Sequence, residues 1–468
     1  PSLQTISLGH TSLQRGRAPA TAVYLAQLTN LCRLSLFANA IQEDAANTLC
    51  DELAHLTTLD SFTFSHNMAT AEVGCRLPSF IQQNSAQLVH LQLSTCGLQE
   101  FMPYISDAIV DCIHLCVLDI SGNGIFCTPA DLLSVTACPV RLLGDVISCK
   151  LKQLRYLNVR HNVLRDMGIE ILFQSIVGNI LEAKAANNGA DPHLCYGGLP
   201  VLLDDNYMTS STSIMEVLAP VLQNVTQISG VMNHFSASFL LSVVQCLNAH
   251  SNHSVQGIAF SGLFAGEMGV HHNHGPVSQA FCHHIVYSQT NLRVLLLQYS
   301  GLRATELGVI ADALKAPACK LQLLQELKRQ GNSLGGPAVF NLAVALETHS
   351  HLKSLEMGET GAGNAGCTAL LQLLPQIPTL CLLDIQQNQA NIGTLHIGKI
   401  LLQLSDNRIN KLRIKVHNNL NLKHAMQRLH AAYSSVFAPP NHTTEQSFAD
   451  TLMPCLLYTS PSPRDGLL

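Results

Sequence analysis

The chain is poor in charge. Of its 468 residues only 12% are Asp, Glu, Lys or Arg, against roughly 25% in an average globular protein. A net charge of -5 is small for that length, which excludes a phosphate-tracking basic surface and an acidic disordered tail. Nucleic acid is therefore not expected as a partner. Long apolar runs are missing too. None approaches the roughly 18 residues that span a membrane, and no signal peptide is visible, so a membrane is not expected as a partner either. Pro1 stands where an initiator Met would, which leaves room for a missing start and any targeting signal in it. The 16 cysteines include no CxxC pair, and the chain is far above the size at which small secreted domains depend on disulfides. Reduced thiols in a cytoplasmic protein are the expectation. Sequons at Asn224, Asn252 and Asn441 are too short a pattern to imply glycosylation without a secretory context.

Catalytic signatures are equally scarce. No nucleophile motif, HExxH or phosphate-cradling loop survives inspection. The glycines of GETGAGNAG, Gly358 to Gly366, lack the Lys-Ser/Thr of a P-loop and begin at the end of an apolar strand pattern, so they read as a strand-to-helix turn. The expectation is a protein that is not an enzyme and carries no cofactor. One segment invites metal chemistry. HHNHGPVSQAFCHH holds His271, His272, His274, Cys282, His283 and His284, and imidazole and thiolate are natural zinc ligands. His271, His274, Cys282 and His284 come nearest to a set, but the spacing matches no standard finger and no metal is assigned. The 22 histidines have a second consequence. Half-protonation near pH 6.5 would add about 11 charges and turn the chain net positive.

What the sequence does have is leucine in rhythm. LRYLNVRHN, from Leu154, fits the template Leu-x-x-Leu-x-Leu-x-x-Asn, and the pattern returns at Leu31, Leu59, Leu88, Leu115, Leu324 and Leu380. Looser copies begin at Leu3, Val255, Leu292, Leu352 and Ile409, and two weak ones at Ile180 and Val225. Spacing is the stronger test. Starts at 3, 31, 59, 88 and 115 lie 28, 28, 29 and 27 apart, and those at 324, 352, 380 and 409 lie 28, 28 and 29 apart. Such a period marks one supersecondary unit repeated and stacked. The apolar residues of each unit, Leu154, Leu157 and Val159 in this copy, alternate as in a short strand and point into the stack. Arg155, Tyr156, Asn158 and Arg160 stay on the exposed inner face. Asn162 ends the strand, where its amide can bond the backbone of the turn, a role open also to Cys96. An amphipathic helix follows, with Ala46, Leu49, Leu53 and Leu56 on one face in one unit and Leu307, Ile310, Ala311 and Leu314 in another.

This combination resembles the ribonuclease-inhibitor type of leucine-rich repeat, over about residues 3–430. The resemblance implies an α/β leucine-rich-repeat solenoid, a horseshoe with parallel strands on the concave face and helices on the convex face. Residues 1–433 are expected to form this domain, with about 13–14 repeats and insertions near 127–150, 190–210 and 264–285. Residues 434–468 read as a disordered tail, in which CLLYTSPSPRD, 455–465, resembles translated library adapter.

Proteins with this repeat type include ribonuclease inhibitors, the sensor regions of NOD-like receptors, Ran GTPase-activating proteins and leucine-rich subunits of ciliary complexes. The resemblance implies protein-protein recognition on the concave face, by a scaffold or recognition module. The alternatives are a GTPase-activating protein resembling the Ran type, which an acidic C-terminal region would favour and none is present, and a structural subunit of a ciliary or cytoskeletal complex. The inner strand position is expected to carry Ser7, Ser35, Thr63, Gln92, Asp119, Asn158, Lys184, Ser229, Ala259, Leu296, Lys328, Glu356, Asp384 and Arg413. Tyr and Arg favour binding hot spots. The candidate partner-binding residues are thus Arg155, Tyr156, Asn158, Arg160 and His161, followed by Arg293, Tyr299, Lys328, Glu356, Asp384 and Arg413.

Overall fold

A computed structural model of the chain describes residues 3–11, 13, 17–41, 43–67, 71–127, 138–186, 200–208, 215–217, 227–230, 233, 239, 241–243, 245–246, 255–260, 280, 282–283, 291–315, 321, 323–392, 397, 399–400, 403–404, 411–416, 418–419 and 427. It divides into two compact units, Pro1–Phe235 with Ala249–Ser254, and Ser236–Asn248 with Val255–Leu468. The tail from 434, with its adapter-like segment, lies outside the described residues. So does all of the 264–285 stretch except residues 280, 282 and 283.

In the first unit the strands are β1 (Thr5–Ser7), β2 (Arg33–Ser35), β3 (Ser61–Thr63), β4 (His90–Gln92), β5 (Val117–Asp119), β6 (Tyr156–Asn158), β7 (Pro200–Leu202) and β8 (Gln227–Ser229). Each is three residues long and pairs parallel with the next. Parallel neighbours need a crossover, usually helical. Among the described residues the crossover helices are α1 (Ala18–Ala26), α2 (Glu43–Leu53), α3 (Ala71–Gln83), α4 (Met102–Ile109), α5 (Pro139–Cys149) and α6 (Arg165–Ala186). The second unit repeats the plan with β9 (Gly257–Ala259), β10 (Val294–Leu296), β11 (Glu326–Lys328), β12 (Ser354–Glu356), β13 (Leu382–Asp384) and β14 (Arg413–Lys415), again parallel in chain order. Its described helices are α7 (Ala304–Lys315), α8 (Gly336–Leu346) and α9 (Gly363–Gln376).

Register places like on like. Leu34 stands beside Phe62 and Phe62 beside Leu91, so the aliphatic positions of the template form continuous columns under the sheet. Leu31, Leu34, Leu36, Leu154, Leu157 and Val159 are all buried there. The helices close the core from the other side with Leu49 and Leu53, and with Leu307, Ile310, Ala311 and Leu314, while Leu56 joins them from the loop after α2. Burial of each such side chain stabilises by roughly 1.5–3 kcal/mol.

The asparagine at the ninth template position does more than end a strand. Asn123 donates to Ile120 O of its own strand at 2.9 Å and to Leu93 O of the preceding one at 2.8 Å, while its Oδ1 accepts from the N–H groups of Cys96 and Leu98. Asn67, Asn162, Asn206, Asn332, Asn388 and Asn419 bridge neighbouring turns in the same way. Every one of them is buried. A buried ladder of this kind satisfies backbone groups that no strand partner reaches. Cys96 fills one rung with a thiol donating to Phe64 O at 3.4 Å, and burial pushes that thiol up to about 12, so it keeps its proton.

The eighth position is left-handed wherever it is described. His10, Ala38, His66, Thr95, Gly122, His161, Asp205, Tyr299, Gly331, Glu359, Gln387 and Asn418 all have φ between 50 and 72°. This turn locates two repeats that the template misplaces. Ile180 begins no strand, because it lies inside the helix Arg165–Ala186; the repeat strand is instead Pro200–Leu202, with Leu203 buried, Asp205 left-handed and Asn206 on the ladder, so that counting back along the sequence from Asn206 puts the leading template position at residue 198. Glycine at the leading position hides it from a leucine search. Hence part of the 190–210 stretch is a repeat strand rather than an insertion, and Leu202, not Lys184, takes the inner position. The last repeat starts at Lys411 rather than Ile409. Lys415 pairs with Asp384, and Arg413 falls beside Leu382. Within 127–150, α5 supplies an ordinary crossover helix.

Each unit is a leucine-rich-repeat solenoid. Among the described residues no helix is long and apolar enough to cross a membrane.

Candidate functional site

The candidate surface is the face of each sheet turned away from the helices. Residues at the third and fifth template positions project from it, flanked by those of the seventh and eighth, where the left-handed turn throws the side chain to the edge of the strand. The eleven candidates form two sets. Arg155, Tyr156, Asn158, Arg160 and His161 belong to the first unit, and Arg293, Tyr299, Lys328, Glu356, Asp384 and Arg413 to the second.

In the first unit the side chains are tied strand to strand. Asp119 accepts from the Ser121 N–H and hydroxyl at 3.0 and 2.7 Å, and from Asn158 Nδ2 at 3.0 Å. Asn158 Oδ1 in turn accepts from the Arg160 N–H at 3.2 Å. The Arg160 guanidinium pairs with Asp204, whose other oxygen accepts from Ser229 Oγ at 2.6 Å. At the edge His161 Nδ1 meets Asp205 at 3.2 Å. Parallel strands lie about 4.8 Å apart, close enough for such short polar side chains to link directly. Asn158 is therefore buried rather than exposed, because its neighbours close over it. Tyr156 is half-buried, and that burial raises its phenol, with Asp119 adding and Arg160 opposing. Arg155 stays exposed.

The second unit carries full charges in a row. Lys328 Nζ lies 2.9 Å from Glu356 and 3.9 Å from Glu326, and Lys415 Nζ lies 3.4 Å from Asp384. Glu356 and Asp384 are direct neighbours across β12 and β13, and both are buried where the sequence suggested exposure. Burial raises the Asp384 carboxyl; the Gln386 N–H and Lys415 pull it down, and Glu356 pushes it up. Tyr299 lies across Gly331, and its hydroxyl donates to Glu359 Oε1, two repeats on, at 3.3 Å. A Cβ on Gly331 would sit 2.1 Å from the Tyr299 ring. Only glycine at this turn, with its φ of 72°, lets the ring lie flat. Arg293 and Arg413 remain exposed.

Sequence reading missed Asp204, Asp205 and Ser121, because the misplaced repeat hid the first two and the seventh position was not tracked. It also passed over Arg329, which occupies an aliphatic position of LQELKRQGN. Arg329 is wholly buried, its guanidinium makes no hydrogen bond of good geometry among the described residues, and the Cys282 thiol lies alongside. Burial lowers Arg329 to about 10 and raises Cys282 to about 11. Cys282 is thus a core residue. His271, His274 and His284 lie outside the described residues, and among the described residues no group of three His, Cys, Asp or Glu side chains is placed to hold a metal ion.

No protein-family model matches the chain, and no curated protein matches it in sequence. Solved structures do match. An internalin (inlF) from Listeria monocytogenes is 12% identical, over 90% of this chain and 88% of that one, with a TM-score of 0.37. The complex of Rad7 and Elc1 from yeast matches at 13%, over 86% and 88%, with a TM-score of 0.48. A TLR13–ssRNA13 complex matches at 16%, over 84% and 57%, with a TM-score of 0.38. Likeness this distant carries nothing about partner or chemistry. The repeat fold rests instead on the strands, the asparagine ladder and the left-handed turns.

Proposed function

We propose that the open sheet face is a recognition surface for a protein partner, and that the chain works as a binding module rather than an enzyme. The observation that carries this is the linked row Asp119, Asn158, Arg160, Asp204 and Ser229 in the first unit. Side chains already held by one another lose little freedom when a partner docks, which favours affinity. Charge on the face comes in opposite-sign pairs, a pattern that suits a protein surface better than a polyanion. The repeat is read as the ribonuclease-inhibitor type, since full helices such as α2 and α9 follow strands within 28 or 29 residues. A cytoplasmic setting agrees with thiols such as Cys50, Cys112 and Cys367, each pushed up to about 12 by burial.

The test is capture of partners from the source cell by the whole chain, identified by mass spectrometry. Arg155→Ala with Tyr156→Ala should abolish recovery of the main partner, whereas Asp145→Ala, on the exposed side of α5, should leave it intact. The opposite pattern would overturn the reading.

A further inference from the structure

Two thiols of the first unit lie against each other. Cys127 follows the short parallel bridge between Phe126 and Val163, and Cys138 is the residue that precedes Pro139 at the start of α5. They are eleven residues apart in sequence, and their Sγ atoms are 3.7 Å apart. Both are in the thiol form. Cys127 is 3% exposed and Cys138 is fully buried.

A second observation concerns access. A cleft of about 270 Å³ opens beside them, lined by Gln99, Gly124, Phe126, Cys127, Val163 and Arg165. Cys127 therefore forms part of the cleft wall despite its low exposure, and Cys138 lies behind it. The cleft has room for a molecule the size of a peroxide but not for a folded protein.

We propose that Cys127 and Cys138 form an oxidisable dithiol, a modification site reached by a hydroperoxide through this cleft. The Cys127 sulfur, as its thiolate, attacks one peroxide oxygen; the O–O bond breaks, leaving Cys127 as a sulfenic acid and releasing water or an alcohol. The Cys138 sulfur then attacks the Cys127 sulfur, and the S–OH oxygen departs as water with the proton that Cys138 gives up. Two thiols lose two electrons and two protons, and the peroxide takes up both. Bond formation brings the sulfur atoms from 3.7 Å to about 2.05 Å. This site is independent of recognition by the sheet face.

The experiment exposes the reduced full chain to a small excess of hydrogen peroxide and maps its peptides by mass spectrometry. The expected product is a species lighter by about 2 Da in which Cys127 is cross-linked to Cys138, and which a thiol reductant restores. In Cys138→Ser the Cys127 sulfenic acid has no resolving thiol, so labelling of Cys127 by a dimedone-type probe should rise about tenfold over the wild type. Absence of the cross-link in the wild type, or faster oxidation of the exposed Cys149 or Cys381, overturns the proposal. The wild-type peptide map needs no variant, so a folding defect in Cys138→Ser cannot obscure the result.

Discussion

The two units share a backbone and differ in how they hold charge. In the first, the open face is knit by short polar side chains, and Leu36, Phe64, Leu93, Ile120, Val159 and Leu203, each at a third aliphatic position, are apolar and buried. In the second, the face carries Lys328, Glu356, Asp384 and Lys415 in a row, and the same aliphatic position holds Arg329 in one repeat. The contrast separates two environments. On the face, charges can pair across the spacing of parallel strands while water reaches one side of the lysines. In the core, the Arg329 guanidinium is fully buried with the Cys282 thiol beside it, and its desolvation outweighs what that thiol returns.

What the units share should respond alike. The asparagine ladder serves both, so Asn123→Ala and Asn332→Ala should each strip partners from four buried backbone groups. An orphaned buried group costs about 1–3 kcal/mol, so each variant should lose about 3 kcal/mol or more in urea unfolding. Strongly unequal losses would break the equivalence of the two ladders.

What differs should respond oppositely. Arg329→Met fills an aliphatic position with an aliphatic chain, as Met357 does one repeat later. By analogy with buried ion pairs replaced by apolar residues, it should stabilise by about 1–4 kcal/mol. Val159→Met, at the matching position of the first unit, enlarges a side chain in an already filled core site and should destabilise by about 1–3 kcal/mol. A destabilised Arg329→Met would mean that the guanidinium has a compensating role in the core.

These comparisons also show how far the sequence could be read. The period, the strands and the buried positions were legible because each is a local pattern repeated many times; Leu154, Leu157, Val159 and Asn162 lie as the template implies. Gly198 concealed one repeat, since a template keyed on leucine cannot see a unit whose leading position is glycine. The two-residue slip at Arg413 arose because Leu412 and Ile414 mimic the spacing of Ile414 and Val416. The left-handed eighth position would have settled both, but no single residue type marks it: His, Ala, Thr, Asp, Tyr and Gln all occur there. Burial of Asn158, Glu356 and Asp384 was not legible, because it depends on which side chains flank them on neighbouring strands.

The eighth position yields a smaller effect. Gly331→Ala would place a methyl group into the Tyr299 ring at a φ of 72°, whereas Gly122→Ala meets only the Thr95 hydroxyl at 2.7 Å. Both should lose about 1–2 kcal/mol for the left-handed backbone. Gly331→Ala alone should lose more, and Tyr299→Ala in the same chain should restore the excess, which a double-mutant cycle measures. Additive effects would show that the ring does not depend on the glycine.

The smallest effect divides the two open faces by sign. In the first unit Asp204 holds Arg160 and Ser229, so Asp204→Asn should weaken the fold by on the order of 1 kcal/mol. In the second unit burial raises the Asp384 carboxyl, with Glu356 beside it. A carboxyl raised in the folded state binds its proton more readily there than in the unfolded chain, so its charge opposes folding at any pH above its folded value. That opposition fades as the pH falls through the raised value toward the ordinary 3.8. Asp384→Asn removes it at the outset, and Lys415, with 23% of its side chain exposed, can turn its ammonium to water. Near neutral pH Asp384→Asn should therefore gain on the order of 1 kcal/mol, and the gap to wild type should close on acidification. A variant that is less stable at pH 7, or a gap that widens as the pH falls, would show that the Lys415 pair outweighs the burial of the charge.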